Sequence, residues 1–392
     1  MATRVDPTLL KELKKYGAVG VEKCFNCGNC TAICPLTSDE YAFPRDMIRM
    51  AQIGNREKMV QSIDPWLCYY CGDCSVTCPK GAEPGETMMA ARRWLTAQYD
   101  WTGLAGKFYT SKAWEFGSMI LLAILVVLAF VFFSGPMVTE SVELNTFAPI
   151  HIVHTADWIM AGFLLLFIGG NILKMYNAVM RSDGHFPIPI PLSIYISEAW
   201  QLIVHGLTQK EWDTCIEEDI ENKEMSQERI ARITHFLLVS GYGLMLVMII
   251  FFLSWFQTDN IYPLYHPQRW LGYYATIVLL WGAGYALWGR TKKAIQAHRF
   301  SHASDWIFPV LLFAVALTGI LLHIFRYMGL SLPTYYIYII HMAFTAPMLI
   351  LEVPFGKWAH LYYRPLAIYF KAVKVRAEEY NKKIATALAA AD

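Results

Sequence analysis

The sequence predicts a mostly α-helical protein in two parts: a polar, cysteine-rich N-terminal domain and a six-helix membrane bundle. Three observations predict this. Eight of the nine cysteines of the 392-residue chain lie before residue 79. Only 17% of residues are charged, against about 25% in soluble proteins, and mean hydropathy is +0.32. Beyond residue 110 the chain contains six apolar stretches of the length that crosses a bilayer, about 20 helical residues. The net charge of +1 gives no electrostatic footprint for nucleic acid.

The first twenty residues, "MATRVDPTLLKELKKYGAVG", carry scattered charges and no apolar h-region, so they read as a short amphipathic helix rather than a secretory signal. The cysteine-rich part is therefore expected in the cytoplasm, where clustered cysteines are metal ligands more often than disulfides.

Two cysteine runs follow. "CFNCGNCTAICP" places Cys24, Cys27, Cys30 and Cys34 before Pro35, and "CYYCGDCSVTCP" repeats the spacing with Cys68, Cys71, Cys74 and Cys78 before Pro79. Thiolates are soft ligands suited to iron–sulfur clusters, and three at i, i+3 and i+6 wrap one corner of a cubane. Structural zinc sites instead separate two C-x2-C pairs. In two-cluster ferredoxins of this spacing the fourth cysteine of each run ligates the other cluster. One [4Fe-4S] cluster is thus assigned to Cys24, Cys27, Cys30 and Cys78, the second to Cys68, Cys71, Cys74 and Cys34. Gly28 and Gly72 relieve crowding in the loops, and the linker between the runs has a helical pattern around Met47, Ile48 and Ala51. Cys215 has no partner cysteine nearby and reads as an incidental thiol.

The expected spans are roughly 114–134, 152–177, 233–256, 269–289, 305–329 and 334–358. The loops 135–151, 257–268 and 330–333 hold no Lys or Arg beyond the span boundaries, while 291–304 and the tail after 358 are basic. The positive-inside rule then puts both termini and the cysteine domain in the cytoplasm of a bacterial inner membrane. The insertion 178–232 reads as an interfacial, proline-interrupted piece followed by a charged, solvent-facing helix.

Histidine within a span is costly and is a functional candidate by default. Two imidazoles across a helix bundle can hold a haem b. His341 and His360, at the two ends of "HMAFTAPMLILEVPFGKWAH", are 19 residues apart, about 28 Å along a helix, a separation that serves two stacked haems. His235 matches His360 in depth and is expected to pair with it around an inner haem. His341 needs an outer partner, with His323 and His154 as the candidates. Ionisable groups in or beside the spans are the candidates for quinone or proton chemistry: Arg326, Tyr327 and Asp157 on the outer side, with Glu352 and Lys174 deeper. Each has a bland alternative as a structural ion pair or snorkelling side chain.

"RITHFLLVSGYGLM" and "YIIHMAFTAPMLILEVPFGKWAHLY" resemble the second and fifth helices of the dihaem cytochrome b (gamma) subunit of respiratory nitrate reductase. That resemblance implies His235 and His360 on the inner haem and His341 on one side of the outer haem. It departs at Met245, which stands where a second histidine of the third span is expected, so the outer haem uses Met245 or recruits His323 or His154. Residues 15–95 resemble the HdrC family of heterodisulfide reductases, an alpha-helical two-cluster ferredoxin domain. The fusion of the two resembles the QmoC family, membrane subunits of the quinone-interacting membrane-bound oxidoreductase of sulfate-reducing bacteria.

The resemblance implies a cytoplasmic 2x[4Fe-4S] domain over 1–105, a six-span dihaem cytochrome b domain over 106–365 and a C-terminal tail over 366–392. It implies two haems b, menaquinone as substrate, QmoA- and QmoB-like flavin/iron–sulfur subunits as partners, and adenylylsulfate (APS) reductase downstream. Electrons would pass from menaquinol through the haems to the clusters and out to the flavoproteins. Flavin chemistry must come from those partners, since the chain has no strand–GxGxxG–helix fingerprint. Two other readings compete: a heterodisulfide-reductase-like or sulfite-linked membrane complex, and an anchor whose clusters work without haem.

Overall fold

The computed structural model describes residues 4–38, 42–181, 189–209, 227–293 and 296–389. Cys215, His185 and the charged segment 210–226 lie outside them. Helices dominate, and no strand occurs among the described residues. The chain divides into two units, Met1–Thr110 with Gly169–Glu221 and Ala359–Asp392, and Ser111–Ile168 with Asn222–Trp358.

In the first unit, short helices surround Pro84–Tyr99, whose Met88, Ala91, Trp94 and Leu95 are fully buried. Leu9 and Leu13 of the Leu9–Lys15 helix and Met47, Ile48 and Ala51 of the Arg45–Ile53 helix pack into the same core. The helical linker expected between the cysteine runs is this Arg45–Ile53 helix with Arg56–Gln61 after it. Trp94 Nε1 donates to Glu12 Oε1 at 2.8 Å. Arg56 pairs with Glu12 and, at 2.9 Å, with Asp6, which ties the N-terminal helix to the linker.

The C-terminal segment is more than the expected tail. His360–Ala389 is one helix. Its Tyr363, Ala367, Phe370, Val373 and Ala377 are all buried, an i, i+4, i+7 stripe that faces a core. That core is the cysteine domain's own, with Tyr363 against Trp66 and Tyr99 at centroid distances of 5.0 and 5.5 Å. From Gly169 on, the Ile150–Tyr176 helix also belongs to this unit. Its Lys174 Nζ donates to Asp100 O at 3.0 Å, and Asn171 Nδ2 to Tyr362 OH at 3.4 Å. Lys174, a candidate for quinone chemistry by sequence, is thus held by a backbone carbonyl of the cysteine domain. The piece 189–209 forms two short helices, Leu192–Glu198 and Trp200–Thr208, the first opening directly after Pro191.

Among the described residues, six helices are long and apolar enough to cross a membrane: Lys112–Phe133, Ile150–Arg181, Arg229–Phe256, Pro267–Lys292, Ser304–Tyr327 and Ser331–Phe355. They coincide with the six expected spans. In the second unit, Gln227–Phe256 packs on Pro267–Lys292, that helix on Ser304–Tyr327, and Ser304–Tyr327 on Ser331–Pro347. Leu121, Leu125, Val131 and Phe132 of Lys112–Phe133 remain exposed, as a lipid-facing surface requires.

The sixth span ends differently from the sequence expectation. After Pro347 the backbone widens into a π-turn, Met348–Glu352, and the helix stops at Gly356. Pro354 brings no N–H donor to the last turn. A Cβ on Gly356 would lie 2.4 Å from Glu352 Oε2, and that same oxygen accepts the Lys357 N–H at 3.0 Å. "PFGKWAH" is therefore a break, and His360 opens a new helix rather than closing the sixth span.

Candidate cofactor sites

The two cysteine runs fold alike. Asn26 and Tyr70, each two residues after the first cysteine, have φ of 61° and 58°. Their N–H groups donate to Cys24 Sγ at 3.4 Å and Cys68 Sγ at 3.3 Å. Gly28 (φ 94°) and Gly72 (φ 98°) then open the helices Asn29–Ile33 and Asp73–Val76, which pack on each other. The left-handed backbone explains why glycine stands at both places. Tyr70 has a side chain and still adopts it, with its hydroxyl anchored to Glu86 Oε2 at 2.6 Å.

Each pair of half-sites closes a cavity. Cys24, Cys27, Cys30 and Cys78 line one, with Asn26, Gly28 and Arg45. Cys34, Cys68, Cys71 and Cys74 line the other, with Tyr69, Tyr70 and Gly72. The fourth cysteine of each run has crossed to the other run's cavity. Among the described residues, no three His, Cys, Asp or Glu side chains gather tightly enough to hold a single metal ion. Zinc draws its sulfurs to about 2.3 Å from one ion, whereas a four-iron cluster takes one thiolate per iron and spreads them round a cavity. The donor set fits the cluster. Burial pushes the Cys34 thiol up to about 12 and raises those of Cys30, Cys68 and Cys74, so iron binding has to displace their protons.

Residues 20–82 match the model of the 4Fe-4S dicluster domain. Over 122 residues the chain is 29% identical to a protein of Archaeoglobus profundus described as similar to the C component of heterodisulfide reductase. The match covers 31% of this chain and 64% of that protein, so the chain spans just under two thirds of the relative's length. No solved structure matches the chain. The N-terminal part is an iron–sulfur electron-transfer domain, joined to helices of membrane-spanning length.

The span histidines have distinct surroundings. Thr318 Oγ1 donates to Ala314 O at 2.7 Å and lies 2.9 Å from His341 Nδ1. Thr318 Oγ1 also lies 3.1 Å from Val315 O. The hydroxyl contact holds the ring by Nδ1, the arrangement in which Nε2 serves as a metal ligand. His341 fits a haem-ligand role. His323 differs: its Nε2 lies 2.8 Å from Tyr273 OH, and its ring lies tilted against Tyr327 at a centroid distance of 4.2 Å. The nitrogen that would reach iron is held by a phenol. His154 is exposed, its ring edge-on to Trp158 at 5.9 Å, and Asp157 nearby is half-buried. Met245 packs among apolar side chains with Leu279, Leu312 and Met348. His235 stands in the Gln227–Phe256 helix and His360 opens the C-terminal helix; they belong to different units.

Two of the outer candidates are engaged in structure. Arg326 is 5% exposed. It donates to Thr258 O and, at 3.1 Å, to Asn260 O, while Tyr327 OH donates to Tyr262 O. Together they fasten the loop 257–266 to the end of Ser304–Tyr327. Sequence reasoning missed Thr318, Tyr273 and Arg269, whose guanidinium sits 5.2 Å over the Tyr327 ring. Only Arg269 carried a signal, as a cation at the start of an apolar span.

Proposed function

We propose that the chain is the membrane electron-transfer subunit of a quinone-linked oxidoreductase. In this reading it oxidises menaquinol, or reduces menaquinone, and exchanges the electrons with cytoplasmic flavin/iron–sulfur subunits of the QmoA and QmoB kind. APS reductase is the downstream partner, and the chain is QmoC-like. The observation that carries the reading is the division of eight cysteines into two crossed sets of four, in a chain with six span-length helices.

When bound, the two [4Fe-4S] clusters and two haems b supply the one-electron carriers. The chain's residues supply ligands, proton placement and exclusion of water. Cys24, Cys27, Cys30 and Cys78 would hold one cluster, and Cys34, Cys68, Cys71 and Cys74 the other. His235 and His360 would hold the inner haem and His341, through Nε2, the outer one. Thr318 orients the His341 ring through Nδ1. Tyr273 and His323 share a hydrogen bond that can accept or deliver a quinol proton.

The test is a count on protein purified from membranes. The reading expects about eight irons with acid-labile sulfide and two haems b by pyridine haemochrome, with the haems reduced by menadiol. Clusters without haem would leave only an anchor. The name of the archaeal relative favours a second circuit with the same carriers, a heterodisulfide-reductase-like or sulfite-linked complex. The genes beside this one separate the two.

A further inference from the structure

The two cysteine sets have unequal surroundings. The set of Cys34, Cys68, Cys71 and Cys74 is embraced by the C-terminal helix. Arg364 of that helix stacks on Tyr69, its Cζ 3.7 Å from the ring centroid, and Nη2 reaches Leu67 O at 3.4 Å. Arg92 donates to Pro65 O and Cys68 O. Two guanidinium groups thus hold the stretch of chain that leads into Cys68, and Tyr69 itself lines the cavity. Arg364 is four residues after His360 on one helix, a rise of about 6 Å. Ala359, Tyr363 and Cys68 share one apolar core.

The other set faces outward. Cys27 is exposed, and Phe25 beside it is 57% exposed. The cations beside it are Arg45, whose Nη1 would be 3.3 Å from a Cβ on Gly28, and Lys80, whose Nζ lies 5.8 Å from the Phe25 ring centroid.

We infer that the sets work in a fixed order: the Cys34/Cys68/Cys71/Cys74 set exchanges electrons with the His360 end of the C-terminal helix, the Cys24/Cys27/Cys30/Cys78 set forms the outward terminus, and Arg364 tunes the inner set. This rests on the electron-transfer reading above. In the inward-to-outward direction a haem held at His360 would supply one electron, its iron passing from ferrous to ferric, to take the Cys34/Cys68/Cys71/Cys74 cluster from the 2+ to the 1+ state. The electron then moves to the second cluster, returning the first to 2+. No proton is exchanged in the step. A fixed positive charge in a buried site favours the reduced, more negative cluster.

The test is EPR-monitored redox titration of the full chain in membranes, with menadiol as donor. Removing the Arg364 charge (R364Q) should move one cluster signal to more negative potential and leave the other in place, and R364K should restore it. R45Q should move only the other signal. With Cys71→Ser, menadiol should reduce haem but leave the Cys24-set cluster oxidised; with Cys27→Ser, the Cys68-set cluster should still be reduced. The reverse pattern, or both signals moving together in R364Q, overturns the order while leaving a two-cluster protein. A parent protein with no cluster signal overturns the electron-transfer reading and the order with it.

Discussion

Thr318 Oγ1 sits 2.9 Å from His341 Nδ1, so a hydroxyl on one span orients the imidazole on the next through a single ring nitrogen. Replacing His341 with Ala should halve the haem content, read by pyridine haemochrome. Thr318→Val keeps the shape and removes the hydroxyl. It should retain haem but shift the haem's potential, and Thr318→Ser should restore it. Unchanged haem content in the His341 variant would sink the axial assignment. His323→Ala, whose Nε2 is held by Tyr273, should keep both haems.

The crossing of the fourth cysteines gives a sharper test than loss of any other ligand. Cys34→Ser lies in the first run but should remove the cluster of the second, leaving about four irons and the signal of the Cys24 set. Cys78→Ser should do the opposite. Iron analysis with EPR distinguishes this from uncrossed pairing, in which each substitution would empty its own run's site.

Asp64 lies buried in the cysteine domain, and burial raises its carboxyl from 3.8 to about 7. The folded protein therefore holds this proton over a pH range where the unfolded chain has released it. The stabilisation is complete below pH 3.8 and is lost as pH rises through about 7, an effect on the order of a few kcal/mol. Asp64→Asn should flatten that part of the pH dependence. Thermal midpoints of the two proteins between about pH 5 and 8 check it; parallel curves would refute the assignment.

Arg326 fastens a loop, and the cost of losing it should appear as stability. Arg326→Leu leaves Thr258 O and Asn260 O without their charged donor, a loss of about 1–3 kcal/mol. Faster proteolysis of the loop 257–266 is the expected readout. If the menadiol-dependent rate of haem reduction falls while loop proteolysis is unchanged, the residue acts on quinone instead.

The parts of the fold that were legible in the sequence are those fixed by local spacing. Cys24 to Cys34 and Cys68 to Cys78 encode their loops almost residue by residue, because the left-handed turns at Gly28 and Gly72 recur at the same offsets. The six spans were legible from apolar length alone. The break at Gly356 was not, because it depends on Glu352 folding back onto Lys357 N. Nor was the C-terminal helix legible as part of the cysteine domain: its buried stripe has meaning only against Trp66 and Tyr99. Depth arithmetic brought His323 near His341 but could not give the rotation that turns it to Tyr273, a residue 50 positions earlier.

The exchange of Cys34 and Cys78 also bears on how the domain comes into being. Neither run is a self-sufficient nest, since each cavity lacks a wall until the other run has arrived. During synthesis the ribosome delivers three cysteines of the first set some fifty residues before the fourth. Iron delivered in that interval would find an open-sided site, exposed to oxygen and to competing metals. Loading of either cluster is therefore expected only after the second run has emerged, and a chain truncated before Cys68 should hold neither cluster.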